Sequence, residues 1–196
     1  MDRSRFEYQI YAISDSTETL KNAIDDGARI IQLRDKSGNL DAIKEKASEI
    51  KLYRKNRSII FIINDYAEIA IMAGADGVHI GQDTSTNETR KIVGNNFIIG
   101  KTTHAVEQAF AAQSEGVDYI SAGPVYETPT KPGRKAVGLD YVELVARNIH
   151  LPFVAIGGIN LTNIDAVINA GAKTVGVVRS AKDTKILLEK IKRRSS

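Results

Sequence analysis

Cysteine is absent from all 196 residues, which excludes disulfides and thiolate chemistry and agrees with a reducing compartment. No apolar run approaches the roughly 20 residues a membrane-spanning helix needs. The opening Met1-Asp2-Arg3-Ser4-Arg5 is too polar for a signal peptide, so a cytoplasmic location is the expectation. Neither sign of charge dominates. The net value is +3, and much of the surplus lies between Lys190 and Arg194, where a solvated helix end accounts for it. That balance gives no reason to expect nucleic acid as a partner. Low-complexity segments and linkers are missing too. Histidine occurs only as His79, His104 and His150, at spacings that suggest no zinc site. His79 reads as a satisfied core residue inside a strand, His104 as an active-site candidate at a strand end, and His150 as structural.

What is present is an alternation. Gly with Ala or Val closes a helical stretch and precedes an apolar strand in Asp26-Gly27-Ala28, Ala73-Gly74-Ala75, Glu115-Gly116-Val117 and Ala170-Gly171-Ala172. Glycine suits the left-handed position that ends a helix. Strands are therefore expected near 8–13, 29–33, 58–63, 77–80, 97–100, 118–122, 153–156 and 174–178. Helices are expected near 17–26, 40–54, 66–72, 87–93, 105–114, 140–148, 162–169 and 183–193. Eight strand–helix pairs in order predict a single α/β domain over residues 1–196, a (β/α)8 TIM barrel at the lower end of its size range. An open doubly wound sheet usually carries a G-x-G-x-x-G turn after its first strand. Ser14-Asp15-Ser16-Thr17 stands there instead.

In a parallel barrel the carboxyl ends of all strands meet on one face, where active sites are built. Polar clusters stand at those ends. Gln32, Arg34 and Lys36 alternate and so share one side; two cations and an amide can clamp a diphosphate, or form a solvated loop. Asn64-Asp65 and Asp83 put two acids at adjacent strand ends. They make a Mg²⁺ site with room for phosphate oxygens, and they read equally as caps of the helices that follow. The stretch 123–138 holds three of the four prolines and carries Thr128, Thr130 and Lys131. Its hydroxyls and cation suit a phosphate, against the plainer reading of a surface loop. Ile156-Gly157-Gly158-Ile159 and Val177-Val178-Arg179-Ser180 end strands seven and eight, the usual phosphate site of barrel enzymes.

Taken together, Gln32-Leu33-Arg34-Asp35-Lys36, Asn64-Asp65, Ala75-Asp76-Gly77-Val78-His79-Ile80-Gly81-Gln82, Gly123-Pro124-Val125-Tyr126, Thr128-Pro129-Thr130-Lys131 and Ile156-Gly157-Gly158-Ile159 resemble the thiamine phosphate synthase family and its relative, the thiazole tautomerase family. The likeness runs from Tyr11 to about Ser180. It implies a Mg²⁺-dependent transferase that joins 4-amino-5-hydroxymethyl-2-methylpyrimidine diphosphate to a thiazole phosphate. The products would be thiamine phosphate and diphosphate, with small phosphorylated molecules the only partners. By the resemblance Gln32, Arg34, Lys36, Asn64 and Lys131 contact the pyrimidine diphosphate, and Arg34, Lys36 and Lys131 act in catalysis. Asp65 holds the metal, Thr128 and Thr130 meet the thiazole phosphate, and Gly158, Val178 and Arg179 border it. Diphosphate leaves first, giving a pyrimidine carbocation that the thiazole nitrogen captures.

Two departures stand out. The family places its second metal-binding acid two residues beyond Gln82, where this chain has Thr84; either Asp83, one residue early, takes its place, or water and Thr84 complete the metal's shell. The family's Ser two residues after the strand-five glycine is Thr102 here, which keeps the hydroxyl and the substrate contact. Three other readings compete. A thiazole tautomerase would use His104 as proton shuttle, a non-catalytic binding paralogue would explain the displaced acid, and a different phosphate-binding barrel enzyme shares the fold.

Overall fold

A computed structural model describes residues 6–130 and 133–193. Its eight strands are β1 (Gln9–Ser14), β2 (Ile30–Leu33), β3 (Ile60–Asn64), β4 (Gly77–Ile80), β5 (Ile98–Thr103), β6 (Tyr119–Ala122), β7 (Phe153–Ile156) and β8 (Thr174–Val177). Each pairs in parallel with the next, and β8 closes the ring on β1. The helices between and after them are α1 (Thr17–Asp25), α2 (Leu40–Tyr53), α3 (Ala67–Met72), α4 (Thr86–Val93), α5 (Val106–Ser114), α6 (Gly138–Asn148), α7 (Ile164–Asn169) and α8 (Thr184–Lys192). This is the expected (β/α)8 barrel. None of the described helices is long and apolar enough to cross a membrane.

Strands β3 and β7 read as nearly unbroken apolar runs because both their faces are covered. Side chains alternate along each strand. One set, including Tyr11, Ile13, Ile30, Ile60, Ile62, Ile98, Tyr119 and Val154, fills the barrel with Phe6 among it. The other set, including Ile10, Ile31, Phe61, Val78, Ile99, Ile120 and Val175, packs against the helices. Local chemistry starts the helices as expected. Ser16, Asn39 and Ser85 each accept a backbone N–H three residues on, a cap worth about 1 kcal/mol each.

One boundary differs from the expected pattern in a way that matters. The sequence pattern ends strand β5 at residue 100, but the strand runs on to Thr103, because Thr102 and Thr103 pair with Ser121 and Ala122 of β6. The extension turns Lys101 outward to a buried position, where its ammonium lies 2.7 Å from Glu115. Burial pushes the Glu115 carboxyl up, but bonds from Lys101 and Thr86 outweigh it and leave the group below its ordinary range. The same extension turns Thr102 inward, toward the barrel mouth.

Candidate active site

A cavity of about 450 Å³ opens at the carboxyl ends of the strands, and every strand contributes to its wall. Among the residues singled out above, Gln32, Arg34, Lys36, Asn64, Asp65, Thr102, His104, Thr128, Thr130, Gly158, Val178 and Arg179 line it. Asp83 is exposed in the turn between β4 and α4 and is absent from the lining; nor does it cap α4, which Ser85 does. The one-residue offset from the family pattern therefore leaves this acid on the surface. Lys131 lies outside the described residues. His150 borders a separate hollow of about 220 Å³ with Phe6 and Lys173, away from the strand ends.

The cationic side of the mouth is built by β2 and β3. Lys36 forms an ion pair with Asp65 across the two loops. Asp65 adopts a φ of 66°, a left-handed conformation that Asp and Asn tolerate best among side-chain-bearing residues. The helix-cap reading of Asp65 fails: α3 begins after Tyr66 and has no side-chain cap bond. Beside it the Asn64 amide is buried, and its Nδ2 has no hydrogen-bond partner among the described residues. An unmade bond there costs about 1–3 kcal/mol, which an acceptor on a ligand would recover.

Asp35, between Arg34 and Lys36, is turned away from this lining and accepts a bond from Lys46 at 2.6 Å. That bond, with two from Ser37, lowers its carboxyl from 3.8 to about 2. A depressed folded-state pKa means the contribution to stability is complete above 3.8 and disappears as pH falls toward 2. With a partner that is one-third exposed, the loss is about 1 kcal/mol after screening. Urea unfolding at about pH 5 and about pH 2.5 should show this increment in wild type and not in Asp35→Asn.

On the opposite side, the loop after β6 and the diglycine after β7 form one structure. Val125 and Tyr126 donate their N–H groups to Ile156 and Gly157 carbonyls at 2.9 and 3.0 Å. Gly158 has a φ of 68°, and a Cβ there would stand 2.7 Å from the Tyr126 Cβ. Only glycine admits this approach, and Thr128 and Thr130, just beyond Tyr126, line the cavity. Arg179 opens a short 3₁₀ turn, Arg179–Asp183, and Lys182 joins it at the cavity.

Two residues of the floor, Tyr11 and Tyr119, have no counterpart among the sequence expectations. Gln32 Nε2 donates to the Tyr11 hydroxyl at 2.7 Å, which lies 2.9 Å from the Tyr119 hydroxyl. Tyr119 is 3.0 Å from His79 Nδ1, and His79 Nε2 is 3.0 Å from Thr102 Oγ1. Burial drives both phenols far above their ordinary range, so they hold their protons. His79 is buried as expected but also lines the cavity. Inward aromatic positions in a strand carry no signal that separates core from cavity floor. The register of the closed sheet supplies it.

Cations, a carboxylate and an unpaired amide at one side of a barrel mouth, and hydroxyls over a diglycine at the other, characterise barrel enzymes that hold phosphorylated small molecules. Comparison with known proteins narrows this. The thiamine monophosphate synthase family profile matches residues 8–181, so the chain belongs to that family and is a transferase of its kind. A thiamine-phosphate synthase of Thermus thermophilus is 42% identical over 178 residues, covering 90% of this chain and 84% of that protein. Thiamine-phosphate synthase of Nostoc punctiforme is 42% identical over 177 residues, 88% of this chain but only 50% of the relative. The chain thus spans half the length of the latter. Among solved structures, thiamine phosphate pyrophosphorylase from Pyrococcus furiosus superposes with a TM-score of 0.86 at 27% identity, covering 97% of this chain and 98% of that one.

Proposed function

We propose that this barrel condenses 4-amino-5-hydroxymethyl-2-methylpyrimidine diphosphate with 4-methyl-5-(2-phosphooxyethyl)thiazole, or its carboxylated tautomer, to give thiamine phosphate and diphosphate. The observation that carries this reading is the gathering of Arg34, Lys36, Asn64 and Asp65 on one side of a cavity whose other side presents Thr128, Thr130 and Gly158. Arg34 makes forked bonds to the diphosphate and Lys36 acts as a point charge. Gln32 and Thr102 orient the pyrimidine. Thr128 and Thr130 hold the thiazole phosphate beside the diglycine, with Val178 and Arg179 at its border.

Mg²⁺ fits the donor set: a hard cation accepts one carboxylate together with phosphate oxygens and water. Asp65 supplies that carboxylate, and no group of three or more His, Asp or Glu suited to a metal occurs among the described residues. When bound, the cation neutralises charge that develops on the departing diphosphate. Arg34 and Lys36 share that task through the same electrostatics. The carbon–oxygen bond breaks first, and the thiazole nitrogen then attacks the pyrimidinylmethyl cation, so no side-chain nucleophile is required. Cytoplasmic work on phosphorylated metabolites accords with this chemistry.

A tautomerase is the second reading, favoured by His104, whose ring lines the cavity and contacts the Gly123 carbonyl through Nδ1. One assay separates the two. Purified protein with both phosphorylated substrates and Mg²⁺ should form thiamine phosphate, lose that activity to EDTA and regain it on adding excess Mg²⁺. Thiazole isomerisation without metal would establish the tautomerase instead. Ligand binding with neither reaction would establish a non-catalytic barrel.

A further inference from the structure

Gln32, Tyr11, Tyr119, His79 and Thr102 come from five different strands and form one line of hydrogen bonds under the cavity. We infer that Tyr119 is a positioning residue, holding His79 in its Nε2–H tautomer so that Thr102 is left as a hydrogen-bond donor to the cavity. Its consequence for turnover rests on the coupling reaction proposed above; its consequence for the imidazole does not.

The direction follows from the chemistry of each group. An amide nitrogen only donates, so Gln32 Nε2–H occupies a lone pair of the Tyr11 oxygen at 2.7 Å. Either phenol can donate across the 2.9 Å to the other; with a Tyr11 lone pair taken by Gln32, the inferred order has Tyr11 donate to Tyr119. With its oxygen serving as acceptor, Tyr119 directs its own proton to His79 Nδ1 at 3.0 Å. A ring nitrogen that accepts carries no proton, so in the neutral imidazole the proton sits on Nε2. Nε2–H donates to Thr102 Oγ1 at 3.0 Å, with Ser121 Oγ more distant at 3.4 Å. Thr102, having accepted, points its hydroxyl proton into the cavity that it lines.

Each link therefore donates toward the next, from an amide on one wall to a hydroxyl on another. Tyr11 is 1% and Tyr119 0% exposed, so bulk water does not break the sequence. The Tyr119 ring has little freedom. It sits where Gly100 has no side chain, since a Cβ there would lie 2.1 Å from Tyr119 Cζ, and Phe6 packs on it with ring centroids 4.9 Å apart.

The test uses ¹⁵N NMR of the ligand-free full chain. Wild-type His79 should be protonated on Nε2, with an unprotonated, hydrogen-bonded Nδ1. Tyr119→Phe should move the Nδ1 resonance downfield as its donor is lost. It should also lower kcat roughly tenfold while KM changes less than about threefold. Tyr11→Phe removes an equally buried hydroxyl but keeps the Tyr119–His79 bond. It should leave the Nδ1 resonance in place, because the Tyr119 hydroxyl still reaches Nδ1. Protonation of wild-type His79 on Nδ1 overturns the inference, as does an Nδ1 resonance unmoved by Tyr119→Phe. Equal spectral effects of the two substitutions would also overturn it, by assigning the shift to packing. If wild type lacks coupling activity while the spectra behave as described, the proposed reaction fails and the positioning of His79 stands.

Discussion

Asp65→Asn is expected to lower kcat by roughly a hundredfold, about 2.7 kcal/mol of transition-state stabilisation. Asparagine matches aspartate in shape and is among the few residues that accept the φ of 66° found at this position. The substitution therefore removes charge and little else. What is lost is the one carboxylate that the described lining of the cavity offers to a cation, together with the partner of Lys36. Stability should hardly change, because Lys36 is 52% and Asp65 35% exposed, and such pairs contribute at most about 1 kcal/mol. The check is steady-state turnover at saturating substrates and Mg²⁺, beside a thermal melt. Wild-type kcat with an unchanged melt would remove Asp65 from the reaction. Titration calorimetry of Mg²⁺ with diphosphate would then show whether any cation is held at all.

Gly100→Ala is expected to cost about 3 kcal/mol of stability, the upper range for forcing one extra carbon into a packed interior. The added Cβ would stand 2.1 Å from Tyr119 Cζ, 2.3 Å from Cε1 and 2.5 Å from the hydroxyl. Tyr119 has nowhere to retreat, being held by Phe6, Tyr11 and His79. Either the ring or strand β5 must shift, and Thr102 lies two residues along that strand. Denaturant unfolding should show the loss, and activity should fall with it. Gly81→Ala is the control: nothing lies within 4 Å of its built Cβ, so its effect should stay within about 0.5 kcal/mol. Equal stability of the two variants would contradict the packing described for the barrel floor.

Much of the site is visible in the chain before any coordinates. Gln32, Arg34, Asn64 and Asp65 stand at or directly after the ends of apolar runs, and in a parallel barrel that position alone assigns them to one face. The loop carrying Thr128 and Thr130 is legible for a different reason: prolines and hydroxyls concentrate there in a chain otherwise poor in proline. Asp83 looks equivalent to Asp65 in sequence, yet the turn after β4 leaves it exposed. A turn can rotate adjacent residues to different sides, and one position of offset is enough. The buried floor stays hidden because tyrosine and histidine inside a strand resemble core.

Linear order was sufficient for the architecture and for the set of strand ends that carry chemistry. Both depend on periodicity and on the hand and closure rules of parallel sheets, which act over short stretches of chain. The joining of Tyr11, Tyr119, His79 and Thr102 into a directed line, and the seating of residues 124–127 on Gly157 and Gly158, required the closed ring. Tyr11–Tyr119 and Tyr119–His79 bridge strands that are not neighbours, and the loop seat depends on space left by a missing side chain. Distances across a barrel are set by its closure, which no local pattern encodes.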